Sequence, residues 1–293
     1  MKAIGIILAG GNNNRMKELT AKRAVPALPV AGSFRSIDFA LSSMSNSHIQ
    51  TVAVLTQYNA RSLNEHLSSA KWWNFGRKQG GLFLFTPTVT ADNSDWYRGT
   101  ADAMYQNIDF LKRRHEPYVI ISSGDCVYKL DFNRVLDFHI EKKSDITVVC
   151  KDMMYNDDVS RFGVVRMDDE SRITEFDEKP IEASSNTIST GIYVIRRRQL
   201  IELLEAAAEE NRFDFVNDIL VRYKNVKKIY GYKINSYWNN IADIDAYFKT
   251  NMDFLRPDIR SYFFREEPTI CSKVDDLPPA KFNPGSDISN SLV

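Results

Sequence analysis

The chain opens on a near-continuous apolar run closed by glycines, AIGIILAGG at residues 3–11. Similar runs recur as QTVAVLTQ at 50–57, PYVIISSGD at 117–125 and SDITVVCK at 144–151. They are short and rich in branched residues, which predicts strands buried on both faces. Helical spacing fills the gaps between them. In residues 35–47, Ile37, Phe39, Ala40, Leu41 and Met44 can face a sheet. In residues 100–114, Met104, Ile108 and Leu111 recur four and three apart, which predicts one helix there. Strands alternating with helices predict an α/β fold with a mainly parallel sheet and helices on both faces. Ligands of such sheets bind beyond the carboxyl ends of the strands. The loops to read closely are therefore LAGGNNNR, TQYN and SSGDCVYK, which follow three of these strands.

Beyond about residue 160 the pattern changes. RFGVVRMDDESRITEFDEKP at 161–180 predicts a hairpin turning at MDDES. STGIYVI at 189–195 predicts another strand, and the Leu-, Glu- and Ala-rich stretch 196–211 a helix. After Arg256 and Pro257 the periodicity fades, and the Pro/Ser/Asn-rich stretch 277–290 reads as loop or linker. The expected division is one large unit over 1–255 and a linker over 256–293.

Composition removes several function classes. The 293 residues carry 38 Lys+Arg against 38 Asp+Glu, a net charge of zero, so nucleic acid is not an expected main partner. Hydrophobic residues make up 43%, enough apolar surface to offset the entropy of ordering a core. No apolar run is long enough to span a membrane. Cys126, Cys150 and Cys271 are odd in number with no CxxC spacing, which fits a reducing, cytoplasmic setting. Together with four scattered histidines (His48, His66, His115, His139) they form no metal-binding pattern.

The candidate chemistry lies in the loops. Gly10 and Gly11 let backbone N–H groups approach an anion, a helix starting beyond them would add its positive end, and Arg15 can grip phosphate. The same string also reads as an ordinary turn with asparagines in the left-handed conformation. Asp125 ends an apolar strand, where a carboxylate can hold Mg²⁺ against a phosphate or simply cap a helix. Lys179 precedes a proline that restricts its backbone. It is either a sugar-phosphate ligand or a solvated surface lysine. Trp96, Tyr97 and Arg98 beside Gly99 and Thr100 suit a nucleobase or sugar face, or a core-to-helix junction.

Taken together, these strings resemble bacterial glucose-1-phosphate adenylyltransferase, also called ADP-glucose pyrophosphorylase. The resemblance rests on LAGG, KRAVPALPVAGSFRSIDFALSSMSNS, LTQYNARSLNEHL, WYRGTADAMYQN, SGDCVYKLDF, RFGVV, EFDEKP, STGIYVI and LPPAKF, in the same order along nearly the whole chain. It implies a Rossmann-like nucleotidyltransferase domain with a mainly parallel mixed sheet. It also implies a following left-handed β-helix, which the sequence as given barely enters, so that domain is expected to be absent or cut off. The implied reaction joins ATP and glucose 1-phosphate, with Mg²⁺, to give ADP-glucose and pyrophosphate for glycogen synthesis. The implied catalytic residues are Arg15 and Asp125, with Asp125 also a metal ligand. The implied substrate-binding residues are Gly10, Gly11, Tyr97, Gly99, Thr100, Gly163, Glu178, Lys179 and Ser189.

The departures from the family pattern fall on one side of that site. The phosphate loop GGxGTR has Asn13 and Asn14 in place of its second glycine and threonine. The lysine of the family's K-P pair is Val25, ahead of Pro26. The W-x-D carboxylate that supplies a second metal ligand is Asn240, and the lysine of F-x-K-D is Asn217. Losing one preorganised charge contact costs about 2.7–4 kcal/mol of transition-state stabilisation. The chain thus resembles the D-type subunits of this enzyme (the GlgD class), which accompany a catalytic subunit in a hetero-oligomer. Two other readings stand beside it. One is an active enzyme in which Lys22 or Arg23 replaces the missing charge. The other is a stand-alone sugar-phosphate sensor.

Overall fold

All four predicted apolar strands form, and they lie in one mixed sheet. A computed structural model describes residues 2–12, 14–76, 80–89, 95–154, 157–275, 278–289 and 291. The first half runs β1 (Ala3–Leu8), β2 (Pro29–Val30), β3 (Phe34–Arg35), α1 (Ser36–Asn46), β4 (Thr51–Leu55), α2 (Arg61–His66), β5 (Gly81–Phe85), α3 (Thr100–Gln106), α4 (Ile108–Lys112), β6 (Tyr118–Ser123) and β7 (Cys126–Tyr128). The second half runs α5 (Phe132–Glu141), β8 (Ile146–Asp152), β9 (Gly163–Met167), β10 (Ile173–Glu178), β11 (Thr187–Arg196), α6 (Arg197–Glu209), β12 (Ile229–Lys233), β13 (Trp238–Asn240), α7 (Ile244–Asp253) and α8 (Pro257–Phe264).

The main sheet has the order β10-β9-β11-β6-β1-β4-β5, with β8 also paired to β11 and β12 to β8. β1 is parallel to both β4 and β6, and β4 to β5. β11 runs antiparallel to β6 and β8, which makes the sheet mixed. Strand alternation buries both faces. Ala3 and Ile7 of β1 join one core cluster with α1 and α5, while Ile4 and Ile6 join another with α3, α4 and α6. The chain leaves β1 for β4 on one side and later returns to β6 on the other. That reversal opens a crevice at the carboxyl ends of β1 and β6, where ligands of such sheets sit.

Two expectations need correction. The single helix over 100–114 is two helices, broken at Asn107. The Asn107 side-chain amide donates to the Ala103 carbonyl at 2.9 Å and to the Tyr97 hydroxyl at 2.9 Å, a local bond that competes with the helix. The stretch after Arg256 does not lose structure at once. Pro257 is the first residue of α8, where its missing N–H costs nothing. Past α8 the described residues form no further helix or strand. The predicted hairpin forms as antiparallel β9 and β10, with Asp168 accepting from the Glu170 and Arg172 amides in the turn. Among the described residues no helix is long and apolar enough to cross a membrane.

One scattered histidine carries a stability consequence. His139 is buried on α5, with Nδ1 2.8 Å from the Thr147 hydroxyl and no partner for Nε2 among the described residues. Burial, reinforced by the Arg196 charge, lowers its pKa from 6.5 to about 4. The unfolded chain therefore takes up this proton near pH 6.5 and the folded chain near 4. Stability is complete above that window and falls as pH drops through it, by about 2 kcal/mol at pH 5. Urea unfolding at pH 8 and pH 5 should show this loss, and His139→Gln should shrink it. An equal loss in the variant would assign the acid sensitivity to other groups.

Candidate active site

A cavity of about 800 Å³ lies in this crevice. β1 delivers Leu8 to its wall, and the loop beyond adds Gly10, Gly11 and Arg15. Gly10 packs against the backbone of Gln57, where an added Cβ would lie 3.3 Å from the Gln57 nitrogen. Residues 14–20 do not form the α-helix expected here. They are short 3-10 turns kinked at Lys17, which sits at φ 46°, so no α-helical dipole aims at the loop. Asn13 lies outside the described residues, and Asn14 lines the cavity.

The loop before α3 supplies Tyr97, Gly99 and Thr100. Gln57 clamps it: its side-chain carbonyl accepts from the Tyr97 amide at 2.7 Å, and its NH₂ donates to the Tyr97 carbonyl at 3.3 Å. Gly99 is required by close approach, because a Cβ would lie 2.3 Å from the Phe213 carbonyl oxygen. That same oxygen accepts from the Ala101 amide at 2.8 Å, and the Thr100 hydroxyl accepts from the Phe215 amide at 2.9 Å. Burial raises the Tyr97 pKa, so its hydroxyl stays protonated at neutral pH. Trp96 is exposed and stacks on Tyr58, a wall residue, with ring centroids 5.9 Å apart.

The opposite wall comes from the hairpin and β11. Gly163, Glu178, Lys179 and Ser189 all line it. At Gly163 a Cβ would lie 2.8 Å from the Phe176 ring and 2.9 Å from Glu178 Oε2. Lys179 does not take the extended conformation usual before proline but sits at φ 50°, its ammonium 3.1 Å from Glu178. Such a constrained backbone at a cavity wall marks a position held by its surroundings. The Ser189 hydroxyl donates to the buried Tyr193 hydroxyl at 3.2 Å. The pairing of β11 with β8 shifts register between Ser189 and Tyr193, and Gly191, at φ 75°, sits in that shift.

The end of the cavity that holds Asp125 and Asn240 is built by β7 and β13. These two strands are antiparallel, which sets Asn240 opposite Cys126 and brings the Ile241 amide 2.9 Å from the Asp125 carbonyl. Asp125 Oδ1 accepts from the Ser123 hydroxyl at 2.5 Å. The Asn240 side-chain oxygen accepts from the Ala242 amide at 3.0 Å, and its NH₂ faces the Cys126 sulfur at 3.4 Å. Burial drives the Cys126 thiol well up, so it stays protonated at neutral pH. Val25 is buried in the same wall, ahead of Pro26.

Sequence reading gave no site role to Arg161, the first residue of the hairpin segment, two residues before β9. Its guanidinium lines the cavity, pairs with Asp243 and lies 4.9 Å from the Phe162 ring centroid. Burial pulls its pKa down, and the charge of Arg15 pulls the same way, against Asp158 and Asp125. No spacing signal could have found it, because the loop at 161 meets the N-terminus of α7 only in the folded chain. Asn217 lies outside the cavity wall, and neither Lys22 nor Arg23 stands in the wall where Val25 lies.

The described residues form no ready-made magnesium cage; Asp125 is the residue that would hold the ion, with substrate phosphates and water completing its oxygen set. Among the described residues no three His, Cys, Asp or Glu side chains converge. Asp125 is a single carboxylate already engaged by Ser123, and the Asn240 oxygen is occupied by a backbone N–H. Mg²⁺ wants several hard oxygen donors in a near-octahedral set.

An α/β sheet with a cavity at its switch point is the architecture in which nucleotides and phosphates commonly bind. A family model described as nucleotidyl transferase matches residues 4–256. The chain is 38% identical over 293 residues to a glucose-1-phosphate adenylyltransferase of Clostridium novyi, covering 99% of this chain and 76% of that one. It is 39% identical to the same-named protein of Clostridium acetobutylicum, covering 99% and 77%. With that of Pseudothermotoga lettingae it shares 38% over 295 residues, covering 100% and 70%. The chain belongs to the glucose-1-phosphate adenylyltransferase family of nucleotidyl transferases.

Proposed function

We propose that this chain is a catalytically weakened subunit of glucose-1-phosphate adenylyltransferase, of the D-type class, working beside a catalytic subunit in glycogen synthesis. The observation that carries the reading is the pair Val25 and Asn240. Both line the cavity, where the family pattern carries a lysine and a carboxylate. Valine cannot neutralise the charge that develops on a departing pyrophosphate, and an amide already bonded to Ala242 is a poor metal ligand. The sugar-phosphate side is equipped by contrast. Tyr97 lines the same cavity as Glu178, Lys179 and Ser189, and together they offer a ring face, a carboxylate, a cation and a hydroxyl to a phosphorylated sugar. That contrast favours a subunit that binds glucose 1-phosphate, or ATP or ADP-glucose, and modulates a partner.

The test is ADP-glucose formation by the purified chain, alone and mixed with a catalytic subunit of the family. Little turnover alone and a changed rate or saturation curve in the mixture are expected. Robust turnover by the isolated chain, abolished by Asp125→Ala, would instead establish an active enzyme. Binding of glucose 1-phosphate with no effect on any catalytic subunit would favour a stand-alone sensor.

A further inference from the structure

We propose that β5, a free edge of the main sheet, pairs antiparallel with β5 of a second copy of this chain and joins the two sheets across a two-fold axis. The proposal is independent of the cavity and of the proposed function. β5 ends the strand order and bonds only to β4 among the described strands. The Gly81 amide donates to the Gln50 carbonyl at 2.8 Å, and the Phe85 carbonyl accepts from the Thr56 amide at 2.8 Å. Residues 81, 83 and 85 thus turn their backbone groups to β4. Alternation along the strand turns the amides and carbonyls of Leu82 and Leu84 the other way, where no described strand meets them. Every residue of β5 is half-buried, whereas every residue of β4 beside it is buried.

Sheet edges that stay single are protected by charge, proline or cover. The other two ends of this sheet are protected in that way. β10 carries Glu175, Asp177 and Glu178, and on β12 the Gly231 amide is taken by the Ser171 carbonyl at 2.8 Å. β5 reads GLFLF, with no charge and no proline. Leu82 and Leu84 extend the apolar cluster that holds Trp72, and the Phe83 and Phe85 rings pack on Phe110. Arg114 lies over the Phe83 and Phe110 rings, at 4.8 and 4.9 Å from their centroids, so its charge covers a face of the strand and not its edge. A strand that fits this edge must be neutral, short and apolar on both faces. β5 itself meets that description, and the charged strands β10 and β12 do not. A two-fold axis through Phe83 sets Leu82 opposite Leu84 of the second copy, and Leu84 opposite its Leu82, as hydrogen-bonded pairs. Phe83 then faces its own counterpart at a non-hydrogen-bonded position. The apolar faces of the two strands run on into each other, which buries surface that is half-exposed in one copy.

Sedimentation equilibrium of the full chain over the micromolar range tests this. The expected result is a self-association that includes the two-fold pair. Leu84→Pro removes one outward amide from each copy and no bond to β4. It should raise the dissociation constant of the pair by about tenfold or more and leave the circular dichroism unchanged. Leu84→Lys should weaken the pair as well, by placing a charge on the edge strand, and it serves should the proline variant fail to fold. Disulfide trapping reads the register. In a Cys271→Ser background, which removes the exposed thiol, Phe83→Cys should crosslink on mild oxidation. Residues opposed at such a position lie about 4.5 Å apart at Cα, within disulfide reach. Leu82→Cys should not crosslink, because it stands opposite Leu84 of the second copy and not its own counterpart. A monomer at every concentration, an association unchanged by both Leu84 variants, or a Phe83→Cys chain that crosslinks no better than Leu82→Cys would overturn the proposal. Turnover by the isolated chain tests the proposed function separately and is unaffected by any of these outcomes.

Discussion

Val25→Lys combined with Asn240→Asp is expected to raise ADP-glucose formation by the isolated chain by about a hundredfold or more. Each substitution acts on a residue of the cavity wall. Val25 is buried and shares an apolar cluster with Phe39 and Phe263, but it also lines the cavity, into which a lysine placed on it would have to extend. Its ammonium would stand where charge builds on a leaving diphosphate, an interaction worth about 2.7–4 kcal/mol in the transition state. Asn240→Asp sets a second carboxylate beside Asp125, because the β7–β13 register fixes that neighbourhood. The single variants should gain less than the double, since groups that act as one unit are not additive. Initial rates of pyrophosphate release check this. An unchanged rate in the double variant would mean that neither charge limits turnover, and the weakened-site reading would fall.

Phe263→Ala should cost about 3–5 kcal/mol of stability, the usual loss for truncating a buried aromatic residue. Phe263 of α8 is fully buried, with its ring centroid 5.3 Å from Phe39, 5.3 Å from Phe254 and 5.4 Å from Tyr237. These rings join α1, α7 and α8 in a third core cluster that also holds Val25 and Ile241. The segment beyond is strapped onto α1 by hydrogen bonds. The Cys271 amide donates to the Ser42 hydroxyl at 2.9 Å, and the Asn46 side chain donates to the Thr269 carbonyl at 3.0 Å. Urea denaturation of wild type and variant measures the loss. A midpoint shift near zero would mean that α8 is only lightly attached. Because Val25 and Ile241 share this cluster, the variant should also loosen the Asp125 end of the cavity.

Much of the fold was legible because its signals are local. Short continuous apolar runs mark β1, β4, β6 and β8, since both faces of such strands are buried. The hairpin was legible from MDDES, whose Asp168 bonds the turn amides. The break at Asn107 was hidden, because the side chain that ends α3 also reaches Tyr97, and that pairing depends on the loop's path. α8 was hidden because Arg256 and Pro257 read as an ending, and a proline at the first helical position looks the same in a string as one that stops a helix.

The sequence by itself determined which residue types stand at the strand ends: glycines after β1, a carboxylate after β6, a lysine after β10, and valine and asparagine where charges were expected. Residue identity and order are one-dimensional facts, and strand-end position follows from periodicity. Only the tertiary structure decided that Arg161 meets Asp243 beside Asp125, that Lys22 and Arg23 stay out of the cavity, and that the Asn240 oxygen is already taken by Ala242. Those outcomes depend on strands that are far apart in the chain, β7 with β13 and the loop before β9 with the start of α7. Charges so distant in sequence become neighbours only when the sheet closes around them, and no spacing along the chain records that distance.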